Sequence, residues 1–286
     1  MTNENKPTNR KMVFAYLFLL FTLLAFSSIE VISKPLMGKV DPFFMTAFRF
    51  LIGGLFLMVF VKQDVELSDL LPITLVGTLN SVVSMTSLQL AVKYSNASTA
   101  ATLVASNPIF VSLFAAIMLN EKYRLRKYVG IGLGFVGIIV FSLGKISGDS
   151  WTGIFFGVLA ALTFGLYTVL MRKYTKKYSP VLVTAYSSLC SSLIYVALLV
   201  MFGRFEVPVR LSFSGWLILI YLGLIVTGVA YLTYFKAMET LGATQSSKVF
   251  FLKPIVATIF AMVLLGESLS VFKIIGMIIV FISLSL

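Results

Sequence analysis

Histidine is absent and cysteine occurs once, as Cys190. Imidazole acid–base chemistry, a Cys/His zinc site and an internal disulfide are thereby excluded. Charge is scarce too, at 12% of residues against about a quarter in soluble domains. Acids are the rarer sign, 11 against 23 Lys and Arg. They form no cluster apart from Asp64, Glu66 and Asp69, which read as a solvated loop. An enzyme acting on lipid-linked substrates would need clustered acids, a His or an activated nucleophile, so no enzyme, cofactor or metal is expected. What remains is apolar, 59% of the chain, and the bilayer is its solvent. A net charge of +12 could suit nucleic acid. The cations, however, sit in short clusters between apolar runs, which fits membrane topology better, and no nucleic-acid partner is expected.

Ten apolar runs approach the roughly 20 residues that a helix needs to cross a bilayer. They lie at about 13–33, 43–62, 69–90, 97–119, 128–144, 152–172, 180–202, 214–237, 243–265 and 271–286, with short breaks marked by Pro42, Asn96, Pro180 and Gly242. The fifth and tenth runs are the shortest of these. Arg10-Lys11 before Met12–Ile29 has the form of a signal peptide with a weak site at Ala25-Phe-Ser27. Its length and its counterpart in the second half favour a retained helix.

The chain is a duplication. At an offset of 146, Ala97, Pro108, Ile109, Phe114, Leu119, Glu121, Lys127 and Gly130 meet Ala243, Pro254, Ile255, Phe260, Leu265, Glu267, Lys273 and Gly276. Gly77, Val83 and Ala91 meet Gly223, Val229 and Ala237 at the same offset. The first two helices correspond more weakly at 138, pairing Phe26 with Phe164, Val31 with Val169, Lys34 with Arg172 and Pro42 with Pro180. Residues 1–144 and 151–286 are thus two five-helix repeats. An odd helix number per repeat makes them enter the membrane in opposite directions, the inverted topology of many secondary transporters. The expected fold is an all-α integral membrane protein of ten transmembrane helices. A duplicated chain can enclose a cavity as a monomer.

Lys and Arg in the loops set the orientation. One set of segments carries 13: Lys6, Arg10, Lys11, Lys62, Lys122, Arg124, Arg126, Lys127, Arg172, Lys173, Lys176, Lys177 and Lys236. The other carries 7: Lys34, Lys39, Lys93, Lys145, Arg204, Arg210 and Lys273. Both termini are expected on the cytoplasmic side of a prokaryotic inner or plasma membrane.

Three cations remain inside helices, and each needs a partner, a route to the interface or a function. Lys248 is about five residues into helix nine and can snorkel to the headgroups. Lys253 is about ten residues in, near the midplane, and is the strongest site candidate. Its repeat partner is Asn107, and both residues precede a proline, Pro254 and Pro108. Each proline should kink its helix and free a carbonyl one turn back, that of Phe250 and of Val104, where an alternating-access carrier binds substrate. The third cation is Arg49. Glu30 is the carboxylate set well inside an apolar run, and its expected partner is Lys34, one turn on, or Arg49 of helix two. Its alternative role is proton exchange, since desolvation can raise a buried carboxylate toward neutrality.

Polar residues at helical spacing extend the candidate cavity: Asn80, Ser84 and Ser87, then Thr99, Thr102 and Ser106, then Thr163 and Tyr167, then Thr227, Tyr231 and Tyr234. Hydrogen bonding between helices competes as a role for the Ser and Thr sets. Tyr231 and Tyr234 offer flat surfaces for an aromatic or cationic ligand. Glycines 130, 132, 134 and 137 lie inside helix five and suit close helix packing, not a phosphate loop. Glu121 and Glu267 follow the ends of helices four and nine, where they suit capping or loop pairing.

These motifs make the chain resemble the EamA family of the drug/metabolite transporter superfamily. The likeness rests on Arg49 in Ala47-Phe-Arg49-Phe, on Pro108 followed by Leu119-Asn-Glu121, and on Pro254 followed by Leu264-Leu-Gly-Glu267 and Gly276. The first copy departs from the pattern, with Asn120 where the second has Gly266. The resemblance implies a cavity enclosed by helices one, three, four, six, eight and nine. It also implies export of a small-molecule substrate such as an amino acid, an amine or another metabolite. A lipid or polyprenyl-carrier flippase is the alternative. Glu30 resembles the first-helix glutamate of small multidrug exporters but sits nearer the helix end.

Overall fold

The computed structural model describes residues 9–121 and 123–286. Two of the loop cations, Lys6 and Lys122, lie outside the described residues, as does the start of the first repeat. The described residues form helices and no strand beyond an isolated bridge between Met37 and Val40. Among the described residues, eight apolar helices are long enough to cross a membrane: α1 Arg10–Leu36, α3 Leu67–Tyr94, α4 Ala97–Met118, α5 Leu125–Leu143, α6 Trp151–Lys177, α7 Pro180–Met201, α8 Phe213–Leu241 and α9 Gln245–Leu265. Two shorter apolar helices are α2 Pro42–Met58 and α10 Val271–Ser285. α2 has 17 residues and α5 has 19, so α2, not α5, is the short helix of the first half. The chain leaves α2 early through tight turns at Val59 and Phe60.

Side-chain caps set the helix starts. Asp41, Ser150, Ser179, Ser212 and Ser270 each accept a backbone N–H from the first turn that follows, and Pro42 and Pro180 occupy the first helical position. These residues satisfy donors that the first turn leaves free, a strong requirement where no water can substitute. The ends of α4 and α9 share one geometry through different residues. Gly266 takes the left-handed conformation at φ 66°, and Asn120, its repeat counterpart, takes φ 51°. Asn tolerates that conformation better than other side chains, so the departure from the repeat pattern preserves the helix stop.

Hydrogen bonds between connecting segments sort the helix ends into two faces. At the face where α1 begins, Ser179 N–H donates to Gln63 Oε1 at 3.1 Å, Lys177 contacts Asp69 at 2.7 Å and Gln245 Nε2 donates to Tyr16 Oη at 3.3 Å. At the far face, Asn96 Nδ2 donates to the Ser147 carbonyl at 2.9 Å, Ser150 Oγ to that of Tyr94 at 2.6 Å and Ser270 Oγ to that of Gly144 at 2.6 Å.

Small residues let the helices close up. α2 is wedged between α7 and α8, with Gly54 against the Leu189 backbone and Gly53 against Thr227. α5 and α10 form a peripheral pair, in which a Cβ on Gly276 would stand 2.5 Å from the backbone nitrogen of Phe141. Gly276→Val is expected to destabilise the protein by about 1–3 kcal/mol through overpacking, read as a lower apparent melting temperature in detergent. Ile274, Ile278 and Ile282 on the outer side of this pair are exposed, as suits a lipid-facing surface.

Candidate functional site

Three helices lose regular α geometry where the candidate residues stand. α1 breaks at Ser28, between Asn9–Ser27 and the short turn Ile29–Ser33 that carries Glu30. α4 breaks at Ser106, just before Asn107-Pro108. α9 opens with Ala243–Ser247, passes through a 3-10 turn at Lys248–Leu252 and resumes α geometry at Lys253. The carbonyls expected to be free are taken: Lys253 N–H donates to that of Phe250, and Ser106 N–H reaches those of Leu103 and Val104. The chain tightens toward 3-10 bonding in place of an open kink, so proline's missing donor leaves no orphan acceptor.

A second irregularity was not foreseen from the sequence. Leu79–Met85 in α3 and Tyr221–Val229 in α8 are π-helical, in corresponding parts of the two halves. In each stretch or at its end a threonine hydroxyl bonds the carbonyl five residues back, Thr86 to Ser81 and Thr227 to Leu222. Such wide turns re-aim side chains and concentrate at functional sites.

The α1 and α9 breaks meet. Lys253 Nζ donates to Glu30 Oε1 at 3.0 Å, with the Glu30 side chain 0% and the Lys253 side chain 13% exposed. Glu30 therefore pairs with neither of its expected partners. Lys34 turns away to the Val92 and Ser95 carbonyls, at 2.7 and 2.5 Å, because those acceptors at the end of α3 need a donor. Arg49 gives Nε to Thr227 Oγ1 at 2.7 Å and lies 5.3 Å from the Phe50 ring centre. Glu30 Oε2 and Arg49 Nη1 are buried without a hydrogen-bond partner among the described residues. The two groups remain within electrostatic reach of one another.

Aromatic rings wall this charged centre. Phe26 meets Tyr231 edge-on at 4.9 Å and stacks with Phe250 at 5.8 Å, and Phe250 lies 5.1 Å from Tyr234. The structure thus brings Glu30, Lys253, Arg49, Tyr231 and Tyr234 onto neighbouring surfaces of α1, α2, α8 and α9. Tyr167 belongs to a separate cluster with Met171 and Leu182, although within electrostatic reach of Tyr231. Asn107 is half-buried, and Asn80 is buried with Oδ1 unpartnered among the described residues. Gln89 is 0% exposed, and both its amide atoms lack partners there. Sequence reading passed over Gln89, although a Gln in an apolar run was the available signal.

The Ser and Thr sets act chiefly between or within helices. Ser84 donates to the Ala160 carbonyl at 3.0 Å and Thr99 to Asp149 at 2.7 Å, while Thr163 and Ser106 bond their own helices. Lys248 is exposed, in keeping with a route to the interface.

Lys273, expected among the loop cations, is instead 1% exposed inside the far face. Its Nζ contacts Asp149 Oδ2 at 2.5 Å and Thr99 Oγ1 at 2.6 Å. Asp149 also accepts the Asn96 and Ile146 N–H groups, each at 3.1 Å. Burial alone would raise the Asp149 carboxyl, but hydrogen bonds from Lys273 and Thr99 outweigh it and hold the group below its ordinary value. Beside this network Glu267 caps α4, accepting from Ala97 N–H at 2.7 Å, Ser98 N–H at 3.0 Å and Ser98 Oγ at 2.6 Å. Glu121, at the opposite face, pairs with Arg172 and accepts from Tyr123 Oη at 2.7 Å. The Tyr123 hydrogen bond is the largest influence holding the Glu121 carboxyl low, while burial and the Glu121 charge push Tyr123 up to about 12.

Comparison with known proteins gives concordant results. The model of the EamA-like transporter family matches residues 13–143 and again 151–286. An uncharacterized transporter of Clostridium kluyveri is 32% identical over 282 residues, covering 93% of this chain and 90% of that protein. The YdfC transporter of Bacillus subtilis, also described as uncharacterized, is 26% identical over 245 residues, with 82% and 78% covered. A WAT1-related chloroplastic protein of Arabidopsis thaliana is 24% identical over 260 residues, covering 86% of this chain and 62% of that protein. A crystal structure of a protein 19% identical to this one superposes with a TM-score of 0.64, covering 97% of this chain and 95% of the other, and shares the fold.

Proposed function

This chain belongs to the EamA-like transporter family and is a multi-pass transporter of the cell membrane, and from that premise we propose that it is an alternating-access exporter of small amphipathic metabolites such as amino acids or aromatic amines. In this reading all ten helices cross the bilayer, the halves are inverted repeats and both termini are cytoplasmic, so the face where α1 begins is the inner one. The observation that carries it is the Glu30–Lys253 pair, which joins the broken first helix of one half to the broken ninth helix beneath a wall of aromatic rings. A fixed pair of opposite charges, with Glu30 Oε2 unpartnered among the described residues and Arg49 within electrostatic reach of Glu30, suits a ligand that carries charge and an apolar part. Lys253 binds the carboxylate of an acidic or zwitterionic substrate, Arg49 supports it, and Tyr231 and Tyr234 contact the apolar portion. Asn80, Asn107 and Tyr167 complete the lining, and the Pro108 and Pro254 breaks define its depth. When substrate draws Lys253 away, Glu30 is left to take up a proton, which couples substrate to the proton gradient.

The reading is tested by a thermal-shift screen of detergent-solubilised protein against amino acids, aromatic amines, nucleosides and nucleotide sugars, since a ligand of the folded state raises apparent stability. Stabilisation by zwitterions or anions that disappears in Lys253→Met supports it. Stabilisation by hydrophobic cations alone would move the site to Glu30 and the substrate class to multidrug-type compounds.

A further inference from the structure

The two halves are equivalent in sequence but not in packing. Thr102–Ser106 of α4 corresponds to Lys248–Leu252 of α9. Thr102, Leu103, Val104 and Ser106 are all buried, whereas no residue of Lys248–Leu252 is, and Lys248 and Leu252 are exposed. At the far face α4 is sealed against α1 and α9 by a cluster of Val31, Ala97 and Ala261 with Phe260 and Leu265. The polar contacts divide in the same way. Glu267 holds the first N–H groups of α4, and Lys34 holds the last carbonyls of α3. Their repeat counterparts, Glu121 and Arg172, hold one another.

We propose that Glu267, Lys34, Glu121 and Arg172 form a reciprocal latch whose two ends are made in turn as the carrier alternates. In the conformation described here the far end is fastened and the other end is open. In the exchanged conformation Glu121 releases Arg172 and caps the backbone N–H groups of Ala243 and Thr244, the counterparts of Ala97 and Ser98. Arg172 then turns to the carbonyls at Met238 and Leu241, the counterparts of Val92 and Ser95. At the far face Lys34, already within electrostatic reach of Glu267, pairs with it.

Each helix end carries backbone groups that need partners, and a carboxylate at a helix N-terminus is favoured by the dipole. Each end therefore has two partner sets of similar chemistry, a cation with a carboxylate, or both with backbone. That near-balance is what a bistable element requires. Among the described residues Glu267 caps α4, whereas its counterpart Glu121 is turned to Arg172. These four are positioning residues, because they set which face is open without touching substrate. The inference rests on the alternating-access reading above.

The test uses spin-label distances in full-length protein carrying Cys190→Ser, without substrate. Lys93→Cys with Ser268→Cys reports the far face, and Arg124→Cys with Gln245→Cys the other, all four positions being exposed. Wild-type protein is expected to populate two distances for each pair. Glu267→Gln should raise the share with the far face apart by about tenfold in population ratio, the scale of one lost charge-assisted hydrogen bond. Glu121→Gln should shift the ratio oppositely. Ser98→Ala weakens the far latch with the charges intact and should shift it less, in the same direction as Glu267→Gln. Two populations that none of these variants moves would overturn the latch and leave alternating access standing. A single distance for each pair under all conditions would overturn both.

Discussion

Lys253→Met is expected to abolish transport of the natural substrate, lowering flux in proteoliposomes about a hundredfold, on the scale of losing a charge-assisted hydrogen bond to the ligand. It is also expected to destabilise the protein by about 3–5 kcal/mol, because Glu30 would be left buried without its partner. Glu30 is 0% exposed and its second oxygen is already unpartnered. Lys34 is committed to the Val92 and Ser95 carbonyls, and Arg49 gives Nε to Thr227 and makes no hydrogen bond to Glu30 among the described residues, although its Nη1 is unpartnered. Adding Glu30→Gln should restore most of the lost stability, as the double variant removes both charges together. The coupling between the two sites, about 1–3 kcal/mol, is read from apparent melting temperatures of the four proteins. Transport should stay lost in the double variant. Stability and function therefore separate, and a double variant that transports normally would remove the pair from the site.

The second large effect is expected at the far face. Asp149→Asn should cost about 3–5 kcal/mol, because it leaves the Lys273 ammonium at 1% exposure beside the neutral Thr99 hydroxyl and Phe141 ring without its carboxylate. Asp149→Asn with Lys273→Met should recover most of it. The pH dependence follows from the direction of the Asp149 shift. A carboxyl held below its unfolded value contributes stability above that value, and the contribution is lost as pH falls through the folded one. The wild type should thus lose melting temperature on acidification below about pH 4, near the ordinary Asp value, more steeply than the double variant. Equal acid sensitivity in the two proteins would exclude Asp149 as the source. Because this network braces the start of α4 beside the Glu267 cap, its loss should also loosen the far face.

Much of this protein was legible in its residues. Long apolar runs dictate membrane-spanning helices, since hydrocarbon leaves backbone groups no partner except one another. Charges inside those runs identify Glu30, Arg49 and Lys253 directly, because a charge in lipid is too costly to be incidental. The repeated residue–proline pairs located the breaks in α4 and α9. What those breaks do was less accessible: 3-10 tightening, a cooperative backbone adjustment, closed the carbonyls expected to be open.

Partnership is what sequence order did not encode. Local spacing made Lys34 the natural partner of Glu30, but the folded chain places Lys253 there from 223 positions away. Lys273 shows the same limit, since its place near a helix end suggested an interfacial cation until Asp149 and Thr99 were found around it. Composition, periodicity and internal repetition by themselves determined the solvent, the helices and the residues too costly to be without purpose, because those depend on local transfer energies. Only the tertiary structure decided which charges pair, which helix ends are capped and which face is sealed, because those depend on helix packing that brings distant residues within hydrogen-bond reach.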